Sequence, residues 1–190
     1  MQLDRSCGVV VVDVQNDFLP GGALAVPEGD QVIAPLNAAI ERVRRAGGAI
    51  VATRDWHPAN HCSFQAQGGP WPVHCVQNTK GAAFAEALKL PEDALIVSKA
   101  MRPDQEAYSG FEGEPDLAAW LKRRGIQRLF VGGLATDYCV RATVLDALRH
   151  GFAVVVLTDA VRGVDPKGAQ RALSEMQSKG AQLATTAALA

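Results

Sequence analysis

"RLFVGGLATDYCVRATVLDALRHGFAVVVLT", residues 128–158, holds two short apolar runs, Arg128 to Gly132 and Ala153 to Thr158. Between them Val140, Val144, Ala147 and Leu148 recur at three- and four-residue spacing. Runs of four to eight apolar, β-branched residues read as strands buried on both faces, and the three-four spacing reads as an amphipathic helix. A strand, a helix and a strand in succession form the crossover unit of a parallel sheet. The pattern extends along the chain. Further strand-like runs fall at Val9 to Val12, Ala49 to Thr53 and Ala94 to Ser98, with a weaker one at Gln182 to Thr186. Helical spacing recurs in Ile33, Leu36, Ile40 and Val43 before Gly47 and Gly48, in Leu117, Trp120 and Leu121, and in Ala169, Ala172, Leu173 and Met176. The expected fold is α/β: a three-layer α/β/α arrangement with an open, mostly parallel six-stranded sheet and helices on both faces.

The chain has 190 residues, within the prior of about 100–200 residues per domain, and shows no repeat, linker or low-complexity tract, so residues 1–190 read as a single domain. With 19 Lys and Arg against 20 Asp and Glu, the formal charge of −1 offers no footprint for nucleic acid or an anionic membrane, and leaves a small-molecule substrate or a protein ligand as the expected partner. The apolar run at Val9 to Val12 is too short for a membrane span or a signal-peptide core, so the expected location is cytoplasmic. Four cysteines without C-x-x-C spacing read as free thiols, open to metal or catalytic duty. The Ala-rich tail from Ala187 is expected to fray. Whether the chain forms a homo-oligomer is open at this level.

Ligands of doubly wound sheets bind beyond the carboxyl ends of the strands. Here those positions carry Asp13, then Asp55 and His57, then Lys99, then Cys139. Each has a bland reading as a turn residue, a solvated charge or core filler. Their coincidence on one sheet edge favours chemistry. Thr136 and Asp137 are good N-cap types, which places Cys139 in a first helical turn where free N–H groups and the helix dipole favour a thiolate. Lys99 would add a cation, Asp13 would accept and return the thiol proton, and the N–H groups of the turn would form an oxyanion hole.

"RDWHPANHCSF", residues 54–64, followed by "WPVHC", residues 71–75, holds three of the four histidines. Asp55 and His57, two apart on an extended segment, point to one side, with His61 and His74 on the following loop. Such donors suit Zn, Fe or Mn, and equally suit a hydrogen-bonded loop. Phe18, Leu24, Trp71, Tyr108 and Phe111 fall on loops and either wall a flat apolar ligand or anchor the loops. His150, beside Gly151 near a helix end, reads as a partner of the helix dipole.

Five stretches, "VVDVQNDFLPGGAL", "TRDWHPANHCSF", "GPWPVHCVQNTKGAAF", "SKAMRPDQEAYSGF" and "GGLATDYCVRATVLDA", run in the order found in the nicotinamidase (pyrazinamidase) group of the isochorismatase-like cysteine hydrolases, which the chain resembles over nearly its whole length. The resemblance implies hydrolysis of nicotinamide to nicotinate and ammonia through a thioester, with side activity on pyrazinamide and a place in NAD salvage. It implies Asp13 as proton shuttle, Lys99 as electrostatic partner and Cys139 as nucleophile. The implied oxyanion hole is the backbone of Ala135 and Cys139, with a cis peptide between Leu134 and Ala135. One divalent metal ion would be held by Asp55, His57 and His74, with His61 as the further ligand that some members use, and would orient the pyridine ring. Phe18, Leu24, Trp71, Tyr108, Ala135 and Tyr138 would contact the substrate. Asn78 stands where relatives often carry glycine, a change that left-handed turn geometry tolerates. Two other readings are another small-amide or carbamoyl amidase of the superfamily, and a non-catalytic metal- or redox-sensing binding protein. The first predicts other preferred amides, the second no turnover.

Overall fold

The computed structural model describes residues 1–190. Six strands, β1 (Cys7–Val12), β2 (Ala49–Asp55), β3 (Leu95–Lys99), β4 (Arg128–Leu134), β5 (Ala153–Arg162) and β6 (Gln182–Ala184), form one sheet in the order β3-β2-β1-β4-β5-β6. Every pairing is parallel, so the sheet is parallel throughout. The helices are α1 (Ile33–Arg45), α2 (Leu117–Arg123), α3 (Arg141–Arg149) and α4 (Pro166–Ser178).

The two-residue repeat of a strand divides the core. Val9 and Val11 of β1 pack with Leu36, Ile40 and Val43 of α1, whereas Val10 and Val12 pack with residues of α2, α3 and α4 such as Leu121, Val144 and Met176. The helices therefore lie on both faces, one against three. The α1 face is completed by loop residues, among them Val14, Phe18, Val26, Cys75 and Leu88.

The strand order reverses direction between β1 and β4, the switch point where such sheets open a crevice. Gly133 makes the approach of these two strands possible. Its φ is +126°, and a Cβ there would stand 2.1 Å from the Val12 carbonyl oxygen.

The tail differs from the expectation of fraying. Leu189 is buried in the α1-side core, and the Arg42 guanidinium donates to the carbonyls of Thr186 and Leu189. The Leu3 N–H donates to the Ala190 carbonyl at 3.1 Å, and the Ala190 N–H to that of Met1 at 3.0 Å. Composition alone hides such docking, because one leucine and borrowed backbone partners suffice to fix the segment. β6 also stops at Ala184 rather than Thr186, whose N–H and hydroxyl turn away to the Asp159 carboxylate at 2.9 and 2.6 Å.

Candidate active site

Each reactive side chain stands at the carboxyl edge of the sheet. Asp55 and Lys99 are the final residues of β2 and β3 and are register partners there. Asp13 directly follows β1 with φ +50°, a left-handed conformation that non-glycine residues rarely adopt and that clusters at functional sites. Ala100 and Cys75, which follow Lys99 and His74, also have positive φ, +52° and +47°. The backbone thus turns sharply beside three of the functional positions. Asn78 adopts φ +64°, the left-handed geometry expected of it.

The Lys99 ammonium sits at the centre. It lies 2.9 Å from Asp13 Oδ2, forms an ion pair with Asp55 Oδ1, and donates to Cys139 Sγ at 3.4 Å. All four side chains are buried. Asp13 Oδ1 accepts the Thr53 hydroxyl at 2.7 Å, while Oδ2 has no partner of good hydrogen-bond geometry, with the ammonium 2.9 Å away. A carboxylate oxygen left in that state has capacity for one more proton.

Burial raises the Asp13 pKa above the ordinary carboxylate range, against the pull of Lys99. Burial also works to raise Asp55, but Lys99 and His57 hold it below that range. Lys99 is held well above its ordinary value by Asp13 and Asp55, although burial opposes this.

Cys139 departs from the expectation of a stabilised thiolate. Burial, aided by the charges of Asp13 and Asp55, outweighs Lys99 and pushes the thiol well up. The resting sulfur is a neutral thiol beside a base. The capping expectation is corrected as well: the N-cap is Ala135, with no side-chain cap. The turn Thr136–Val140 is of the π type, and the Ala135 carbonyl accepts the N–H groups of Tyr138 and Val140, both at 3.1 Å. Asp137 reaches instead to the N–H groups of Val164 and Asp165. The Leu134–Ala135 peptide is cis. The Ala135 N–H has no hydrogen-bond partner within the chain, and it stands in the pocket wall with Cys139.

Beside Asp55 stand two imidazoles. Asp55 Oδ2 lies 3.5 Å from His57 Nε2 and 3.9 Å from His74 Nε2. The Nδ1 atoms face the carbonyls of Ala100 and Pro72 at 3.1 and 2.8 Å. A carbonyl only accepts, so each Nδ1 carries a proton, which leaves each Nε2, on the side of the carboxylate, as the atom that can offer a lone pair to a cation. Burial lowers the His74 pKa, which keeps that ring neutral. Three lone-pair donors within 4.8 Å of one another repel unless a cation lies among them, and anchored Nδ1–H groups are the usual support of ligating histidines. Two buried carboxylates against one ammonium also leave one negative charge over. The residues fit a divalent ion.

His61 is not brought into this group. Its Nδ1 meets the Ser63 hydroxyl at 2.7 Å, its Nε2 meets the Gln105 carbonyl at 3.0 Å, and its ring stacks on His57 at 4.2 Å. Spacing could not separate a ligand from a stacked support.

A narrow apolar pocket leads to the sulfur. Phe18, Leu24, Trp71, Ala135 and Tyr138 line it, together with Asp55, His74 and Cys139. Trp71 and Tyr138 meet edge to face, 5.2 Å between centroids. Tyr108 does not line it; its hydroxyl accepts the Trp71 indole N–H at 3.2 Å. Phe111 stacks on His150 at 5.0 Å, away from the pocket. Sequence reasoning missed Val26, Leu134 and Val164 in the wall, because isolated aliphatic residues carry no signal. It also missed Gln15, whose amide accepts the Asp55 N–H at 2.9 Å and donates to the Asp55 and Ala82 carbonyls. A buried glutamine two residues beyond Asp13 was the available clue.

A parallel sheet with reactive side chains gathered at its switch point fits a hydrolase of the isochorismatase class, and the chain belongs to that family, matching the isochorismatase domain over residues 7–188. Within the family it is similar to nicotinamidases and pyrazinamidases. The nicotinamidase of Escherichia coli (strain K12) is 42% identical, covering 94% of each chain. The crystal structure of the pyrazinamidase of Pyrococcus horikoshii in complex with zinc superposes with a TM-score of 0.92 at 56% identity, covering 95% of this chain and 99% of that one. PnC1 from L. infantum, in complex with nicotinate, gives 0.93 at 36% identity, covering 100% and 98%.

Proposed function

We infer that this chain hydrolyses nicotinamide to nicotinate and ammonia, with side activity on pyrazinamide and a role in NAD salvage. The observation that carries the reading is the single Lys99 ammonium touching Asp13, Asp55 and Cys139, which sets a cysteine–carboxylate pair directly against a metal-type donor group. The names of the relatives support the substrate. Residues 1–190 act as one hydrolase domain, with Asp13, Lys99 and Cys139 catalytic and Asp55, His57 and His74 holding one divalent ion. When bound, that ion supplies a Lewis-acid partner for the pyridine nitrogen.

The chain's own residues then account for each step. Asp13 accepts the thiol proton as Sγ attacks the carboxamide carbon, and the electron pair of the C=O bond moves to oxygen. Lys99 pairs with Asp13 while that carboxylate is ionised and, donating to Sγ, offsets the negative charge that develops on sulfur as Asp13 becomes neutral. The N–H groups of Ala135 and Cys139 hold the oxyanion. Collapse breaks the C–N bond, Asp13 returns its proton to the leaving nitrogen, and ammonia departs. Water, deprotonated by Asp13, attacks the thioester; the S–C bond breaks, nicotinate forms and Sγ regains its proton. Phe18, Trp71 and Tyr138 wall the flat ring against the sulfur.

A cytoplasmic location is part of the reading, supported by four free cysteines. No helix is long and apolar enough to cross a membrane. The test is ammonia release by zinc-loaded protein from a panel of nicotinamide, pyrazinamide and carbamoyl compounds. Preferred turnover of nicotinamide supports the reading. Preference for a carbamoyl compound would make it another amidase of the family, and no turnover at all would favour a binding protein.

A further inference from the structure

We propose that Asp137 is a latch that fixes the segment Gly163–Asp165 across the mouth of the pocket, so that Val164 sets the width of ring admitted. The proposal rests on the pocket being the seat of a flat aromatic amide.

Asp137 lies in the turn that joins Ala135 to Cys139, yet its side chain points away from the sulfur. Oδ1 accepts the Val164 N–H at 3.0 Å and Oδ2 accepts the Asp165 N–H at 3.1 Å. Val164 lines the pocket with Cys139, but is 39% exposed. Core burial therefore does not hold it in place. The backbone of the segment is built against the carboxylate: a Cβ at Gly163 would stand 3.2 Å from Oδ1 and 2.5 Å from the Ala169 Cβ, and one at Gly168 would stand 3.0 Å from Oδ2. Neither glycine has positive φ, so close approach rather than backbone freedom accounts for them.

The turn has a second, separate tie to α4. Arg141 forms a bidentate pair with Glu175 at 2.7 and 2.8 Å, and Asp165 caps α4 through the Gly168 N–H at 2.6 Å. Loss of the Asp137 carboxylate thus leaves the nucleophile turn joined to α4 and frees the rim alone. Asp137 is a positioning residue: it acts on the substrate through Val164.

The test compares Asp137→Ala, Asp137→Asn and Val164→Ala as zinc-loaded proteins. Asp137→Ala should raise KM for nicotinamide by about 5- to 150-fold, the range set by two lost hydrogen bonds, with kcat within about twofold. The ratio of kcat/KM for the bicyclic quinoline-3-carboxamide to that for nicotinamide should rise in Asp137→Ala and in Val164→Ala. Asp137→Asn, which keeps one acceptor, should fall between Asp137→Ala and the unaltered protein. Amide hydrogen exchange at Val164 and Asp165, measured without substrate, should speed up about tenfold in Asp137→Ala. That readout bears on the latch even if nicotinamide is not turned over. Unchanged exchange, or an unchanged selectivity ratio in both alanine variants, would overturn the proposal.

Discussion

Asp55 and Lys99 are register partners at the ends of β2 and β3, and their side chains close a buried ion pair across the two strands. Asp55 therefore serves two groups at once: Oδ1 on the ammonium that touches Cys139, and Oδ2 toward His57 and His74. The register of two parallel strands thus brings the sulfur chemistry and the metal-type donors into one electrostatic unit.

That unit predicts the effect of removing its cation. Lys99→Met leaves Asp13 and Asp55 buried without compensation. Metal-free Lys99→Met should lose about 3–5 kcal/mol in urea unfolding, and metal-loaded protein should lose about 1000-fold in ammonia release. Stability within about 1 kcal/mol of the unaltered chain would show that Lys99 does not neutralise the pair.

The histidines divide by their hydrogen bonds. His57→Ala and His74→Ala should each lose most of the zinc retained after dialysis, by about 10- to 100-fold or more in affinity. His61→Ala should retain it, since both of its nitrogens are engaged by Ser63 and Gln105. Metal analysis of the three variants decides. Zinc loss in His61→Ala comparable to that in His57→Ala would make it a ligand.

Asp13 must be ionised to take the thiol proton, and burial raises its pKa. A base with a raised pKa is progressively protonated as pH falls, so kcat/KM should decline on the acid side with an apparent pKa above the ordinary carboxylate range. The midpoint belongs to the Asp13–Lys99–Cys139 cluster as a whole. Lys99, held well above its ordinary value, stays charged throughout. Steady-state rates across pH with nicotinamide check this; a profile flat down to pH values where the carboxylate is ordinarily protonated would contradict it.

Tyr108 does not line the pocket but backs two residues that do: its hydroxyl accepts the Trp71 indole N–H, and its ring lies 6.0 Å from that of Tyr138. Tyr108→Phe should raise KM about 2- to 10-fold, the worth of one hydrogen bond, and leave kcat within about twofold. Trp71→Ala, which removes a wall, should raise KM further. An equal fall in kcat for Tyr108→Phe would place its hydroxyl in the chemistry instead.

Periodicity carried most of the fold, because strands buried on both faces read as continuous apolar runs and every helix shows its stripe. It also carried the sheet edge, since Asp13, Asp55, Lys99 and Cys139 each end or follow such a run. What stayed hidden depends on contacts between segments distant in sequence. Asp137 has the composition of a helix cap, yet its acceptors meet N–H groups 27 and 28 residues away. The charge state of Cys139 depends on Asp13 and Asp55 lying around it, so the helix dipole and Lys99 alone gave the wrong sign. His61 and His74 look alike in sequence, and only the partners of their ring nitrogens separate them.

The central claim is that Cys139 Sγ forms a thioester with the acyl group of nicotinamide while Asp13 carries the proton. The most direct measurement is rapid acid quench of zinc-loaded protein during turnover, followed by mass spectrometry of its peptides. A nicotinoyl group on the peptide carrying Cys139, absent in Cys139→Ala together with ammonia release, is the predicted result. Ammonia release persisting at an undiminished rate in Cys139→Ala, with no acylated peptide in either protein, would contradict it.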